Sequence, residues 1–379
     1  MRHAFRPLAA FAVAAALAAP AAAQPAVVTL PPDGDNQRST VTQQIGLVRV
    51  TVDYSSPDVH SPTGEDRTGK IWGELVPYGM ADLGFGTCGD QCPWRGGANQ
   101  NTVFTTTHDL LVQGKPLPAG SYGLHFVPGP EEWTVIFSKN STSWGSYTYD
   151  ASEDALRVQA KPQPSEHHEW LTYEFTDRRP DRATVALKWE RLALPIELGV
   201  EDATGLWVEN LRRELRSNPG FDWRGWQAAA DFTLASNAHL EQGLEWARAA
   251  VEGPLGQANF RTLSTLSRLQ EATGHSADAA KSMEAALEHP TAGPFDVHGF
   301  ARQLQAAGKN EEAMRVFQLN ARKFPGVWPT AFGLARGHAG LGQNEQALEQ
   351  ARAALAQAPD EQGKAAVEGF IKQLEGDAG

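Results

Sequence analysis

Two hydrophobic periods follow one another along the chain. From Arg38 to Val200, short β-branched and aromatic runs alternate apolar with polar positions and are punctuated by Gly and Pro, the pattern of antiparallel strands. The runs Ser39–Gln44, Leu47–Tyr54, Thr102–Leu111, Ser121–Val127, Trp133–Ser138, Leu156–Ala160, Trp170–Phe175, Thr184–Trp189 and Leu192–Leu198 have no amphipathic helix between them. They predict an antiparallel β-sandwich or jelly roll, and Ile45-Gly46 reads as a tight hairpin turn. After Asp202 the texture changes to Ala, Leu, Glu, Gln and Arg at helical spacing, beginning with Leu206–Ser217, which Asn218-Pro219-Gly220 stops. The expected fold class is therefore multidomain β plus α. A β domain spans residues 24–201, a linker helix 202–223 and an α-helical repeat array 224–379.

The helical half repeats itself. Gly274, Gly308 and Gly342 are spaced by 34, as are Ala279, Ala313 and Ala347, and Pro325 and Pro359. Three clear units cover about 260–293, 294–327 and 328–361. A looser one runs over 224–257, with Gly243 where the others have Ala, and Gly363–Leu374 is the expected capping helix. This period resembles that of tetratricopeptide (TPR) repeats, whose small residues are expected where paired helices approach closely. The ninth residue of the first helix in each clear unit is Arg: Arg268, Arg302 and Arg336. The resemblance places that position on the concave groove, together with Arg261 at the second position. A row of guanidinium forks suits carboxylates, so the groove is expected to take an acidic peptide or protein partner, unless Glu271 and other acidic neighbours neutralise it.

Composition narrows the setting. With 379 residues and 41% of them apolar, the chain is long and apolar enough to bury at least one full core, and two are expected. Its formal charge of −12 is the wrong sign for a nucleic-acid surface. Arg2 and Arg6, an apolar run from Leu8 to Ala19, then Pro20 and Ala21-Ala22-Ala23 have the order of a secretory signal peptide over residues 1–23, with cleavage expected before Gln24. The expected location is periplasmic or secreted. No later stretch is apolar for long enough to be membrane-spanning. Cys88 and Cys92, the only cysteines, lie four residues apart in a Gly-rich loop, and export favours a disulfide between them. A structural zinc site would want a second Cys pair.

A series of rare-residue blocks follows in order through the β half. Ser56-Pro57, Gly69-Lys70-Ile71-Trp72-Gly73-Glu74-Leu75-Val76-Pro77-Tyr78-Gly79, Trp94-Arg95-Gly96-Gly97-Ala98-Asn99 and Gly114–Tyr122 come first. Trp133-Thr134-Val135-Ile136, Trp144-Gly145 and Asp154–Val158 complete it. Together they resemble the exported bacterial DUF2911 family over roughly residues 50–200. The Cys88/Cys92 loop, inserted between Tyr78-Gly79 and Trp94-Arg95, departs from the plainer family pattern. The resemblance implies fold and export rather than an activity.

Strand parity puts Tyr122, Leu124 and Phe126 on the core face of their strand and His125 on the other, away from the core. It sends His168 outward on its own strand and leaves the direction of His108 open. With Arg95, Asn99, Asn101, Trp144 and Asp150, these histidines are candidates to line one depression on a sandwich face. That depression is either a polar ligand pocket or a site where His108, His125 and His168 hold a transition metal with a carboxylate such as Glu169. The alternative is that Arg95 and Asn99 satisfy loop backbone groups and the histidines are ordinary sheet residues. No H-E-x-x-H or Gly-x-Ser-x-Gly motif is present, and beyond a metal no cofactor is expected. Six Trp from Trp72 to Trp189 are either sugar-stacking platforms or core. The reading that fits best is an exported binding and scaffold protein. A periplasmic metal-dependent enzyme with the histidine site, and a module for envelope glycans, are its rivals.

Overall fold

The computed structural model describes residues 36–61 and 63–376. The secretory-signal segment 1–23 and its cleavage point lie outside the described residues. Two compact units divide the chain, one ending at Gly199 and the other beginning at Val200.

The first unit holds two antiparallel sheets. One has six strands in the order β1 (Gln37–Ile45), β2 (Val48–Ser56), β3 (Thr102–Thr106), β6 (Gly120–Val127), β7 (Trp133–Ser138) and β8 (Asp154–Ala160). The other has four, in the order β5 (Lys115–Leu117), β4 (Leu110–Val112), β10 (Arg182–Gly199) and β9 (Gln163–Thr176). Alternating apolar positions make the core: Val50 and Val52 of β2, Phe104 of β3 and Leu124 and Phe126 of β6 are buried, as are Leu171 and Tyr173 of β9 and Leu187 and Trp189 of β10. Across the sheets, the Tyr54 and Tyr173 rings meet edge to face at 4.8 Å. Ile45 and Val48 pair across the expected hairpin turn, where Gly46 has φ +59°.

Three features of this unit differ from the strand pattern read in the sequence. The run Thr102–Leu111 is two strands, because the chain leaves the six-stranded sheet after Thr106 and enters the other at Leu110; Thr106 Oγ1 bonds the His108 carbonyl at 2.7 Å in the bend. Strand β5 was not anticipated, and it follows a two-residue turn in which Gln113 and Gly114 both have positive φ. The runs Thr184–Trp189 and Leu192–Leu198 are one strand, with a bulge at Glu190, φ +54°.

The second unit contains ten helices: α1 (Ala203–Glu214), α2 (Trp223–Ser236), α3 (Leu240–Glu252), α4 (Phe260–Ala272), α5 (Ser276–Glu288), α6 (Pro294–Ala306), α7 (Asn310–Lys323), α8 (Trp328–Gly340), α9 (Asn344–Gln357) and α10 (Glu361–Gly376). Helices α4, α6 and α8 begin 34 residues apart, and so do α5, α7 and α9. This is a TPR-like array of helix pairs, with Ala279, Ala313 and Ala347 buried at equivalent places. At Gly243, a methyl group would overlap the Thr233 hydroxyl, so this glycine marks a close approach of α2 and α3. The three repeat glycines do something else. Gly274, Gly308 and Gly342 have open space around them and φ of +83°, +76° and +74°. They are kept for the left-handed turn between paired helices, not for tight packing. Among the described residues no helix is long and apolar enough to cross a membrane.

Candidate functional site

Between β2 and β3 the chain runs from Pro57 to Asn101 without a regular strand. Trp72 and Trp94 from this segment pack with Trp133 of β7 and Trp189 of β10. Edge-to-face contacts at 5.0 to 6.1 Å join them, and Trp94 and Trp189 are stacked at 6.3 Å. The indole N–H groups of Trp72, Trp133 and Trp189 are buried with no oxygen or nitrogen acceptor, so ring faces are what the cluster offers them. Four of the six tryptophans considered for sugar stacking are therefore committed to this cluster.

Beside it lies a cleft of about 470 Å³. Its walls come from Asp58 and Arg67, from Leu75 to Leu83, from Cys92 to Asn99, and from Trp144 and Tyr147. Pro57, Gly79, Arg95, Asn99 and Trp144, drawn from four of the blocks that carry the family resemblance, meet here. Half-buried Arg95 lies 4.8 Å from the centre of the Tyr147 ring and donates from Nη1 to the Asn99 carbonyl at 2.6 Å. Among the described residues its other N–H groups make no hydrogen bond, and no carboxylate lies within ion-pair distance. Gly145, φ +62°, passes directly against the guanidinium, where any side chain would collide. Arg67, by contrast, is spent: it donates to the carbonyls of Asp58, Val59 and His60 and pairs with the Asp58 carboxylate at 3.5 Å.

The Cys88–Cys92 disulfide closes the loop on one side of the cleft, with the two Cα atoms 5.2 Å apart. This loop is fastened to the Trp144–Tyr149 loop: Thr87 N–H donates to the Tyr147 carbonyl at 2.7 Å, and the Phe85 and Tyr147 rings meet at 5.5 Å.

The candidates read from the sequence do not form one depression. Arg95, Asn99 and Trp144 line the cleft, and Trp144 is 59% exposed. Asn101 is buried beneath it, donating to the Asn140 carbonyl and Ser143 Oγ, and so holds the loop that follows β7. Exposed Asp150 accepts from Ser152 N–H at 2.9 Å and caps a short 3₁₀ turn. His125 does face away from the sheet interior, but that face is roofed. It is only 2% exposed, with Nδ1 2.9 Å from Ser146 Oγ and its ring against Tyr149 at 5.5 Å. Burial pushes its pKa down to about 4, and the Arg95 charge pushes in the same direction. Ser146 is itself buried, so the pair anchors the loop to β6 rather than presenting a nucleophile.

The three-histidine metal set is corrected by the topology. His125 is on the six-stranded sheet, His168 is on β9 of the other sheet opposite Glu190, and His108 sits in the bend between them with Nδ1 3.0 Å from Thr107 Oγ1. Glu169 is engaged elsewhere, with Oε1 2.8 Å from His60 Nδ1 and Oε2 3.3 Å from His167 Nε2. Among the described residues, no group of three or more His, Cys, Asp or Glu is arranged to hold a metal ion. Sequence reading missed Asp58, Arg67, Leu75, Leu83 and Tyr147 as cleft residues; only Leu75 stood in a block that singled it out.

In the helical unit Arg268, Arg302 and Arg336 occupy the ninth positions of α4, α6 and α8, and none of them is in an ion pair with a described carboxylate. Arg261 differs: its Nη2 is 2.8 Å from Asp231 Oδ2, a carboxylate that also accepts from Gln227 and Thr265. Arg302 and Arg336 stand at equivalent positions of successive repeats. Burial brings the Arg336 pKa down to about 10 and the Arg302 charge adds to the effect. The Arg336 guanidinium lies 4.4 Å from the centre of the Phe332 ring and 5.0 Å from that of Phe370, and its buried Nε–H has no acceptor. His298 sits beside them, 3.0 Å from the Pro329 carbonyl, and burial followed by the two arginine charges takes its pKa down to about 4.

Fold and site together define a two-part protein: a two-sheet β unit with a lined cleft, followed by a TPR-like helical array carrying unpaired arginines. Residues 36–198 match the family model described as "Protein of unknown function (DUF2911)", so the β unit is similar to that family. No curated protein matches the chain. Among solved structures, it is similar to one titled "Crystal structure of MamA protein", at 11% identity over 40% of this chain and 80% of that one, with a TM-score of 0.30. Another, titled "Crystal structure of YrrB: a TPR protein with an unusual peptide-binding site", has 16% identity over 44% of this chain and 89% of that one, with a TM-score of 0.29. The repeat assignment stands on the 34-residue register of the helices themselves.

Proposed function

We infer that this chain is an exported binding and scaffold protein whose helical unit docks an acidic peptide or protein segment and whose β unit recognises a ligand. The observation that carries the reading is the Arg302–Arg336 pair. Neither arginine is in an ion pair with a described carboxylate, and Arg336 is stacked on two rings with its Nε–H unanswered among the described residues. A carboxylate set against the accessible N–H groups of these guanidinium groups supplies the missing counter-charge. Arg268 extends the row one repeat back, whereas Arg261 is held by Asp231 and is not part of it. Phe295, 62% exposed and 6.0 Å from the Trp328 ring, gives the same region an apolar contact. Export to the periplasm is supported by the order of residues 1–23 and by the Cys88–Cys92 bond, which suits an oxidising compartment.

The test uses an array of short peptides, acidic, basic and neutral, each with and without an aromatic residue, probed with the whole mature chain. Acidic peptides should be retained and the Arg302→Glu variant should lose them by at least tenfold, with basic and neutral peptides unbound by either. Equal retention of acidic peptides by the variant refutes the arginine pair as the docking site.

A further inference from the structure

The cleft of the β unit carries a more specific statement about its ligand, one that rests on reading this unit as a ligand-binding domain. Its ring faces are mostly taken. Trp94 is enclosed by three other tryptophans, and the Tyr147 ring is covered by Arg95 and met edge-on by Phe85. Of the aromatic residues lining the cleft, Trp144 alone makes no ring contact with the described residues, and it is 59% exposed. A sugar held between two aromatic platforms has no place here. Aliphatic surface accompanies Trp144 instead: Leu75 and Leu83, two of the few large apolar side chains that the β unit exposes, line the same space. The same space is lined by Arg95, a cation that no described carboxylate pairs. Arg95 is fixed in position by the Asn99 carbonyl, the Tyr147 ring and the close passage of Gly145, and it keeps donor groups that no acceptor among the described residues answers. The other charged pair in the cleft, Asp58 with Arg67, is internally matched.

We propose that the cleft binds a small carboxylate with an apolar body, the carboxylate on the Arg95 guanidinium and the body against Trp144, Leu75 and Leu83. A preorganised, half-buried guanidinium binds a carboxylate through charge-assisted hydrogen bonds that a neutral isostere does not form, so the charge sets selectivity and the apolar wall sets size.

The experiment titrates the whole mature chain with 3-phenylpropionate, with its uncharged amide and with N-acetylglucosamine. Tryptophan emission and melting temperature are followed for the wild type and for Arg95→Gln, Arg95→Lys and Trp144→Ala. The proposal expects 3-phenylpropionate to quench emission and raise the melting temperature, and the amide to bind at least tenfold more weakly. Arg95→Gln should lose the carboxylate preference, and Trp144→Ala should weaken both probes and abolish most of the quench. Should Arg95→Gln fail to fold, Arg95→Lys keeps the charge without the fork and should fall between it and the wild type. Equal affinity for acid and amide, or an unchanged preference in Arg95→Gln, overturns the carboxylate assignment while leaving a ligand cleft. Binding of N-acetylglucosamine without binding of the acid overturns it in favour of a sugar. No response to any of the three at millimolar concentration overturns both the assignment and the reading of the β unit as a ligand-binding domain.

Discussion

His125 should make the β unit acid-sensitive, by an amount that its surroundings fix. Its imidazole is buried under the Trp144–Tyr149 loop, and its pKa is lowered from the ordinary 6.5 to about 4 by burial, with Arg95 contributing. Between those values an unfolded chain takes up a proton that the folded chain refuses. The stabilising contribution is therefore complete above pH 6.5 and drains away as the pH falls to about 4. At 1.36 kcal/mol per pH unit, this one group removes about 3 kcal/mol across the window, a large share of the stability of an ordinary domain. The perturbation is His125→Asn, which keeps a polar atom near the position of Nδ1 for Ser146 but does not titrate. It should cost about 1–3 kcal/mol at neutral pH through lost packing on Tyr149 and should flatten the acid slope. Hydrogen exchange read by mass spectrometry on peptides covering β6 and β7, corrected for intrinsic exchange, measures both quantities in the whole chain. His298, also lowered to about 4, supplies the control, because peptides of α6 should lose protection with acid in wild type and variant alike. If β6 loses the same protection between pH 6.5 and 4 in both proteins, the buried neutral imidazole is not the source.

Other consequences are shorter to state. Thiol counting on denatured, unreduced protein should find no free thiol. Replacing Cys88 and Cys92 with Ser should lower β-unit stability by about 2 kcal/mol, the chain-entropy value for so short a loop, as read by exchange over residues 79–94. Gly342→Ala, at φ +74°, should destabilise the helical unit by about 1 kcal/mol, whereas Gly299→Ala, within α6 and facing open space, should stabilise it by about 0.5–1 kcal/mol; equal melting shifts would contradict the backbone argument. Arg302→Gln should raise the His298 pKa only part of the way to its ordinary value, because burial is the larger cause. An imidazole titration by NMR checks this, and a full return would show the arginines to dominate.

The repeat array was legible because a period forces equivalent residues into equivalent surroundings. Three glycines at one spacing turned out to share one backbone conformation, and three arginines at the same spacing landed on the same turn of successive helices. What the period did not reveal was which arginine is already answered. Asp231 belongs to the loosest repeat, and its ion pair with Arg261 crosses from one repeat to the next. In the β unit, strand parity gave the side on which His125 lies but not what covers it, since the loop from Asn140 to Asp150 has no period to read. Parity also carried the alternation of Thr102–Leu111 straight through a point where the chain changes sheets, which leaves His108 in the bend between β3 and β4.

The cleft was the least legible feature, for a reason that bears on what it does. Its walls come from segments without regular structure, set on the rims of two rigid sheets and tied by a disulfide and a few backbone hydrogen bonds. A loop segment with no ladder to satisfy its polar groups must find specific partners for each of them. Arg95 is the side chain for which that search stops short, answered on one nitrogen and by one ring and open on the rest. The Arg336 guanidinium is in the same condition in the other unit, stacked on two rings with an N–H left over. Both sites are cations held in place by protein contacts that do not neutralise them, and holding a charge in position without its counter-ion is sensible only where the counter-ion arrives from outside. In the β unit the space beside the charge is a cleft of small-molecule size whose mixed lining includes Leu75, Leu83 and Trp144. In the helical unit it is a repeat surface with an exposed phenylalanine. On the proposed reading, the same unanswered chemistry separates by shape into a small carboxylate for one unit and an acidic chain for the other.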